Sequence, residues 1–336
     1  MRDQHTPRQS PLSEMLDDKR YEFLARVASM YYEDNLTQSE VARNLGYSRS
    51  AISRFLTEAR DAGVVEIRIN HPLSRNNQLE RDLRNTFGLR DVRILQRGGI
   101  SYPKMLARLG RLTGQMLDGL INERTTLGVS YGTGVHAVAT ALRPTHYPGV
   151  KVIQLIGASG TPDPQIDGPE LAQMFARAYG GTYLAFPAPL LVDNETIRNA
   201  IMSDSYVRDM LALTRHIDVA IVGIGTTEVH KSGLVRAGHI PADELKEIAA
   251  QGAAGDVCAI HYSIDGEILD LPIQHRTIGV GVDTLREIPF VIGVAGGEAK
   301  AEAIHGAIRA GLVNVIVTDD VTASLALSVA ISRSEK

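Results

Sequence analysis

The chain has 336 residues, a formal net charge of −4 at pH 7, 44% apolar residues and one cysteine. That is length and apolar content enough for two domains with sizeable cores, and the summed charge gives no argument for nucleic acid. Cys258 alone excludes an internal disulfide and fits a reducing cytosol, and no apolar run reaches membrane-spanning length.

Residues 1–18 are polar, hold two prolines and lack a signal-peptide core, so they read as a loose arm. Lys19–Glu33 reads as a helix with Tyr21, Leu24, Ala25, Ala28 and Tyr31 on one face. From Leu36 to Gly63 the pattern is two helices joined by a tight turn. Thr37 to Glu40 forms a T-x-x-E capping box, Val41, Ala42 and Leu45 share a face, and Gly46 supplies a left-handed stop. Ser48 caps the next helix, whose apolar stripe is Ile52, Phe55, Leu56 and Ala59. Its opposite face carries Arg49, Ser50, Ser53, Arg54 and Thr57, groups suited to phosphate oxygens and base edges. Charge placement adds weight: Arg43, Arg49, Arg54 and Arg60 face only Glu40 and Glu58 between Thr37 and Arg60. A helical hairpin with a merely solvated face would share the stripe, but not the coincidence of cap, turn glycine and basic polar surface. We therefore read residues 19–72 as a helix-turn-helix DNA-binding domain with its recognition helix at Ser48–Ala62. The run Val64–Ile69 reads as a strand that could form a wing, with Arg68 in reach of a phosphate.

His71-Pro72 breaks the pattern and marks a domain boundary. Residues 73–90 contain a polar helix, Asn76–Phe87, closed by Gly88, which reads as a linker or a dimerising element. Beyond it, short apolar runs alternate with amphipathic helices. Val92–Leu95, Thr126–Ser130, Lys151–Leu155, Thr182–Ala185, Val219–Gly223, Gly255–His261, Phe290–Val294 and Val313–Thr318 read as strands. Tyr102–Ile121, Pro169–Tyr179, Asp193–Leu213, Ala299–Ala310 and Ala323–Arg333 read as helices. That alternation predicts an α/β domain over 91–336, a doubly wound parallel sheet with helices on both faces. Ligands in such sheets bind beyond the carboxyl ends of strands. Three glycine-rich loops sit there: Gly128–Gly134, Gly223–Thr227 and Gly293–Lys300. Together they point to one polar pocket, with Lys300 as the counter-charge for an anion and Asp167 and Asp256 as partners for sugar hydroxyls. Cys258, in the run Val257–Ile260, reads as a buried small apolar residue.

The segments YYEDNLTQSEVARNLGYSRSAISRFLTEARDAGVVEIRI, LGVSYGTGV, VGIGT, GDVCAIHYSIDG, IPFVIGVAGGEAKAEAIHGAI and VTDD, in this order from Tyr31 to Leu327, resemble the SorC family of bacterial sugar-responsive transcriptional regulators. The resemblance implies a C-terminal effector domain of the sugar-phosphate isomerase/deaminase-like type without enzymatic activity. It implies operator binding as an oligomer, commonly a tetramer, altered by an effector that is usually a phosphorylated sugar. By position, Ser130, Gly132, Thr133 and Gly134 match the family's effector-phosphate loop, and Asp167, Gly225, Asp256 and Lys300 fall where members contact the rest of the ligand. The family loop commonly carries a second threonine where this chain has Gly134. Some members carry a lysine where this chain has Ile156, so Schiff-base capture is not expected from that position. Those two departures suggest a less anionic effector, a free sugar or polyol.

The resulting expectation is a cytoplasmic regulator of a carbohydrate operon. Thr37, Gln38, Ser48, Arg49, Ser50, Ser53 and Arg54 would meet double-stranded operator DNA. A sugar, polyol or sugar phosphate would bind the glycine loops of a homo-oligomer, dimer or tetramer. No catalytic residue, metal, cofactor or membrane contact is expected. The alternative is a sugar-phosphate isomerase or deaminase fused to a helix-turn-helix, with Asp256, His261 and Asp265 as acid and base candidates.

Overall fold

The computed structural model describes residues 11–65, 73–161 and 163–334, and divides into two compact units, Met1–Pro72 and Leu73–Lys336. The first contains three helices: α1 (Pro11–Tyr32), α2 (Gln38–Leu45) and α3 (Arg49–Asp61). α1 begins eight residues earlier than expected, which a proline in the first helical turn permits because it has no amide to leave unpaired. Residues 11–18 of the expected loose arm are thus helical, and residues 1–10 lie outside the described residues.

The capping box is formed as the sequence predicts. Thr37 Oγ1 accepts from the Glu40 amide at 3.3 Å, and Glu40 Oε2 accepts from the Thr37 amide at 2.8 Å. Gly46 ends α2 at φ 72°, and Ser48 Oγ accepts from the Ala51 amide at 3.2 Å to open α3. Val27, Val41, Ala42, Ile52 and Leu56 form the small core. Phe55 meets Phe23 and Tyr47 edge-on, with ring centroids 5.1 and 5.3 Å away, which fixes the turn residue Tyr47 against two helices. Val64 and Val65 pack against Leu24, Ala28 and Ala59 rather than pairing as a strand; the rest of the expected wing, with Arg68, lies outside the described residues.

The second unit is built on a seven-stranded parallel sheet. It opens with α4 (Asn77–Phe87), read from the sequence as a linker, which packs on β1 (Asp91–Leu95). Leu83 is fully buried there, and Glu80 accepts from the Ile94 amide at 2.8 Å while pairing with Arg75. Then follow α5 (Tyr102–Leu117), β2 (Thr126–Val129), α6 (Thr133–Ala141), β3 (Lys151–Gln154), α7 (Gly168–Tyr179) and β4 (Thr182–Leu184). The predicted helix 193–213 is two, α8 (Glu195–Ser203) and α9 (Ser205–Leu213), because Asp204 turns extended and caps the second through the Tyr206 amide at 2.9 Å.

β5 (Val219–Gly223), α10 (Gly233–Arg236) and α11 (Ala242–Ala250) lead to the largest departure from expectation. The run 255–261, read as one strand, is an antiparallel hairpin of β6 (Ala253–Val257) and β7 (Ile260–Ser263). Its two-residue turn is Cys258-Ala259, both left-handed at φ 53° and 59°. Such turns normally carry Asn-Gly or a similar pair, so the sequence holds no signal for this one. The chain closes with α12 (Val282–Glu287), β8 (Phe290–Val294), α13 (Ala301–Arg309), β9 (Val315–Asp319) and α14 (Asp320–Ser334).

The strand order is β1-β9-β8-β5-β2-β3-β4. Strand residues alternate between two cores: Val219, Ile221, Ile292, Val315 and Val317 face α5, α6 and α7, whereas Ala220, Val222, Val291 and Ile316 face the side of α4, α11, α13 and α14. The order reverses between β5 and β2, so crossovers depart in opposite directions there and leave a crevice at the carboxyl ends of the two strands.

Ile52 is fully buried at the centre of the three-helix unit. Ile52→Ala is expected to destabilise that unit by about 2–5 kcal/mol. Hydrogen exchange should accelerate across α1–α3 and stay unchanged in residues 73–334.

Candidate functional sites

On the first unit, the polar face of α3 is a ridge held by its own buried side. Arg49, Ser50, Ser53, Arg54 and Thr57 are exposed, while Ala51, Ile52, Leu56 and Ala59 anchor the helix. Arg20 forms a bidentate pair with Glu58, 2.8 Å from Nε to Oε1, and stacks 4.9 Å from the Phe55 ring centroid. That pairing neutralises the acid nearest the ridge. The side chains of Arg49 and Arg54 are exposed and make no hydrogen bond or ion pair with another described residue, so two guanidiniums project from the helix face. Ser48 Oγ serves as cap and lies 3.0 Å from Ser50 Oγ. Thr37 is exposed and Gln38 half-buried at the start of α2.

On the second unit, a cavity of about 270 Å³ lies at the β5–β2 switch point. The expected residues Ser130, Gly132, Thr133, Gly134, Gly225, Asp256 and Lys300 all line it. The loop after β2 enters α6 with Gly132 at φ 111° as its cap, leaving the first amides of a helix free to face an anion. Ser130 is buried, and its Oγ accepts from the Gly223 amide at 3.2 Å, tying together the loops on either side of the crevice. A Cβ at Gly225 would sit 1.7 Å from Asp256 Oδ1, so a larger residue there would displace that carboxylate. The Gly225 amide donates to the Asp256 carbonyl at 2.7 Å, which locks the hairpin tip against the loop after β5.

Gly134 has a packing reason as well: a Cβ there would lie 2.5 Å from the Val294 carbonyl oxygen. The missing hydroxyl therefore reflects close approach of α6 to β8 and says nothing about ligand charge. Ile156 is fully buried in the core.

Lys300 follows the third loop, and its Nζ donates to the Ile224 carbonyl at 2.7 Å. Burial pushes the ammonium down to about 8, with Asp256 opposing the shift and Arg236 and Lys231 adding to it. Burial also pushes the Cys258 thiol and the Tyr131 hydroxyl up, so neither ionises near neutrality. Cys258 is buried as expected, yet it also borders the cavity from a left-handed turn position.

Asp167 does not line the cavity. Its carboxylate caps α7 and accepts from the Ser159 amide at 2.7 Å, Ser159 Oγ at 2.8 Å and the Gly160 amide at 2.9 Å, which makes it a brace for the loop after β3. Of the acid and base candidates, only Asp256 reaches the cavity. His261 sits opposite Asp256 in the hairpin register and is buried, and burial lowers its pKa. Asp265 pairs with Arg333 at 3.2 Å.

Sequence reasoning missed Tyr102, Tyr131, Lys231 and Arg236, which also line the cavity. Tyr131 stands inside the predicted loop and could have been named. Lys231 and Arg236 lie on a 3-10 turn and a four-residue helix, too short for any periodicity to reveal. No group of His, Cys, Asp and Glu among the described residues could hold a metal ion, and no described helix is long and apolar enough to cross a membrane.

Residues 71–328 match the family described as "Putative sugar-binding domain". The transcriptional regulator LsrR of Enterobacter sp. (strain 638) is 33% identical over 311 residues, covering 92% of this chain and 94% of that protein. The sorbitol operon regulator of Klebsiella pneumoniae is 31% identical over 317 residues, covering 93% and 98%. The crystal structure of the full-length sorbitol operon regulator SorC from Klebsiella pneumoniae superposes with a TM-score of 0.71 at 29% identity, covering 91% of this chain and 98% of that one.

The Lys300 environment has a measurable signature. An amine held near 8 when folded and about 10.4 when unfolded binds fewer protons in the native state between those values, so stability rises with pH across that window. Denaturant melts should show the wild type gaining stability relative to Lys300→Met from pH 8 to about 10, with no such gain from pH 6 to 7.

Proposed function

The chain belongs to the SorC family of sugar-responsive transcriptional regulators, and on that premise we propose how its two units act. It is a DNA-binding regulator of a carbohydrate operon. Arg49, Ser50, Ser53 and Arg54 read base edges and adjoining phosphates in a major groove, while Thr37, Gln38 and Ser48 hold the backbone beside them. Residues 19–72 are the DNA-binding domain and the effector domain begins at Leu73. Two recognition helices must stand about 34 Å apart to read successive grooves, so the working form is at least a dimer. Operator DNA places it in the cytoplasm.

The observation that supports the effector reading is the composition of the switch-point cavity. Lys231, Arg236 and Lys300 outnumber the one carboxylate, Asp256, and the free amides of α6 add a positive end. That favours a phosphorylated sugar over a neutral polyol, with the phosphate at Thr133, Gly134 and Lys300 and the sugar hydroxyls at Asp256. The volume suits one monosaccharide. The protein binds this ligand without converting it: isomerisation needs a positioned acid and base, and His261 and Asp265 both lie away from the cavity. Incubation with sugar phosphates should leave them unchanged by NMR.

Ligand binding competes for Lys300, whose amine donates to the Ile224 carbonyl. Release of that carbonyl frees the loop after β5, giving the ligand different affinities for two arrangements of the domain, which is what gating requires.

Two measurements test the reading. Arg54→Ala should lower discrimination between operator and scrambled duplex by about 1–3 kcal/mol, roughly 10- to 200-fold, and leave sugar-phosphate binding intact. An unchanged preference would remove Arg54 from the interface. By calorimetry, sugar-phosphate affinity should fall as pH rises beyond about 8, where the Lys300 ammonium loses its proton, and Lys300→Arg should flatten that fall.

A further inference from the structure

The lining of the switch-point cavity divides by layer. Tyr102 and Leu106 enter it from α5, and Val294 joins them from the end of β8, on the side of the first core. Lys231, Arg236, Asp256 and Lys300 enter from the opposite layer, on segments anchored in the second core by Leu234, Val257 and Ala301. One side of the site is therefore apolar and uncharged, and the other carries all of its charge.

Tyr102 is the foremost residue of the apolar side, and its ring is held in place. It is the first residue of α5, with a proline in the same turn to stiffen the backbone. One edge of the ring lies along Gly297, where a Cβ would come 3.2 Å from Cε2 and 3.6 Å from Cδ2. The Gly297 amide donates to the buried Asp319 carboxylate at 2.8 Å, so the ring leans on braced backbone. Below it α5 sits close on the same loop: a Cβ at Gly296 would lie 2.9 Å from both Met105 Cε and Leu109 Cδ1. Leu106, four residues on, extends the face that Tyr102 begins. With 45% of its surface exposed, Tyr102 has ring area left for a ligand to cover.

We propose that Tyr102, continued by Leu106, is a platform for the C–H face of a closed sugar ring, and that it makes the site select ring-form sugar phosphates over open-chain alditol phosphates. The inference deepens the phosphorylated-sugar reading and rests on it. A pyranose or furanose gathers C–H bonds on a face and keeps its hydroxyls at the rim. Those C–H bonds, polarised by neighbouring oxygens, meet the negative face of the aromatic ring, while the rim turns to Asp256 and the cations. An alditol phosphate offers the same phosphate and nearly the same hydroxyls, so the charged side of the cavity treats the two alike. It has no fixed face to lay on Tyr102, and it must freeze a flexible chain on binding. Discrimination thus falls to the apolar side.

Calorimetry on the full chain tests this with the terminal phosphates of glucose, mannose and ribose, the alditol phosphates that borohydride makes from each, and inorganic phosphate. The wild type should bind at least one sugar phosphate about 30-fold or more tighter than its own alditol. Tyr102→Ala should shrink that ratio about tenfold, the scale of one lost apolar contact, and leave inorganic phosphate within a few-fold of wild type. Tyr102→Phe should keep the ratio, because the ring face and not the hydroxyl makes the contact. Tyr206→Ser, on the exposed face of α9, should change nothing. A wild type that binds ring and alditol equally would overturn the proposal, as would a Tyr102→Ala protein that keeps the full ratio. So would a Tyr102→Ala protein that loses ring, alditol and inorganic phosphate to the same degree, since that marks Tyr102 as a support for α5 alone. A wild type that binds none of the sugar phosphates would instead overturn the phosphorylated-sugar reading itself.

Discussion

The reversal of strand order between β5 and β2 is the constraint from which the second unit's chemistry follows. Where crossovers leave a parallel sheet in opposite directions, no helix covers the ends of the two central strands, and the loops there meet across a crevice. The close approaches inside it then dictate residue identity. Gly134 leaves room for the Val294 carbonyl, and a Cβ at Gly225 would displace the Asp256 carboxylate. Ser130 Oγ joins the loops after β2 and β5 by accepting from the Gly223 amide.

The parts of this architecture that are local in sequence were legible there. The capping box at Thr37 and Glu40, the left-handed Gly46 and the Ser48 cap involve residues within four positions of one another, so spacing alone specifies them. The alternation of apolar runs with amphipathic helices similarly announced a parallel sheet, and three glycine loops at strand ends announced its pocket. What failed to show were features set by contacts distant in sequence. The β6–β7 hairpin turns on Cys258-Ala259, a pair with no turn preference, held there by Asp256 and the Gly225 loop. Asp167 looked like a ligand carboxylate but caps α7 and braces Ser159 and Gly160. Arg236 reaches the cavity from a helix one turn long, which no periodicity analysis resolves. Gly134 suggested a less anionic effector until the α6–β8 contact supplied a packing reason for it.

Lys300 connects these elements. Its ammonium is taken out of water and given one neutral acceptor, the Ile224 carbonyl, which is a weak exchange for a full charge. A phosphate would compensate that charge far better, and in doing so would release the loop after β5. On the other flank, Asp319 passes any movement of Gly297 directly to the start of α14. Ligand recognition and the surface of α14 are therefore separated by a single layer of hydrogen-bonded backbone.

The central claim is that occupancy of the switch-point cavity changes the grip of the α3 ridge on DNA. The direct measurement is fluorescence anisotropy of the full chain on its operator, titrated with a panel of sugars, polyols and their phosphates, in wild type and Lys300→Met. The account predicts that at least one sugar phosphate shifts the operator dissociation constant by about 5- to 150-fold, and that Lys300→Met abolishes the shift while retaining operator binding. An operator affinity that ignores every compound, or responds equally in Lys300→Met, would contradict it.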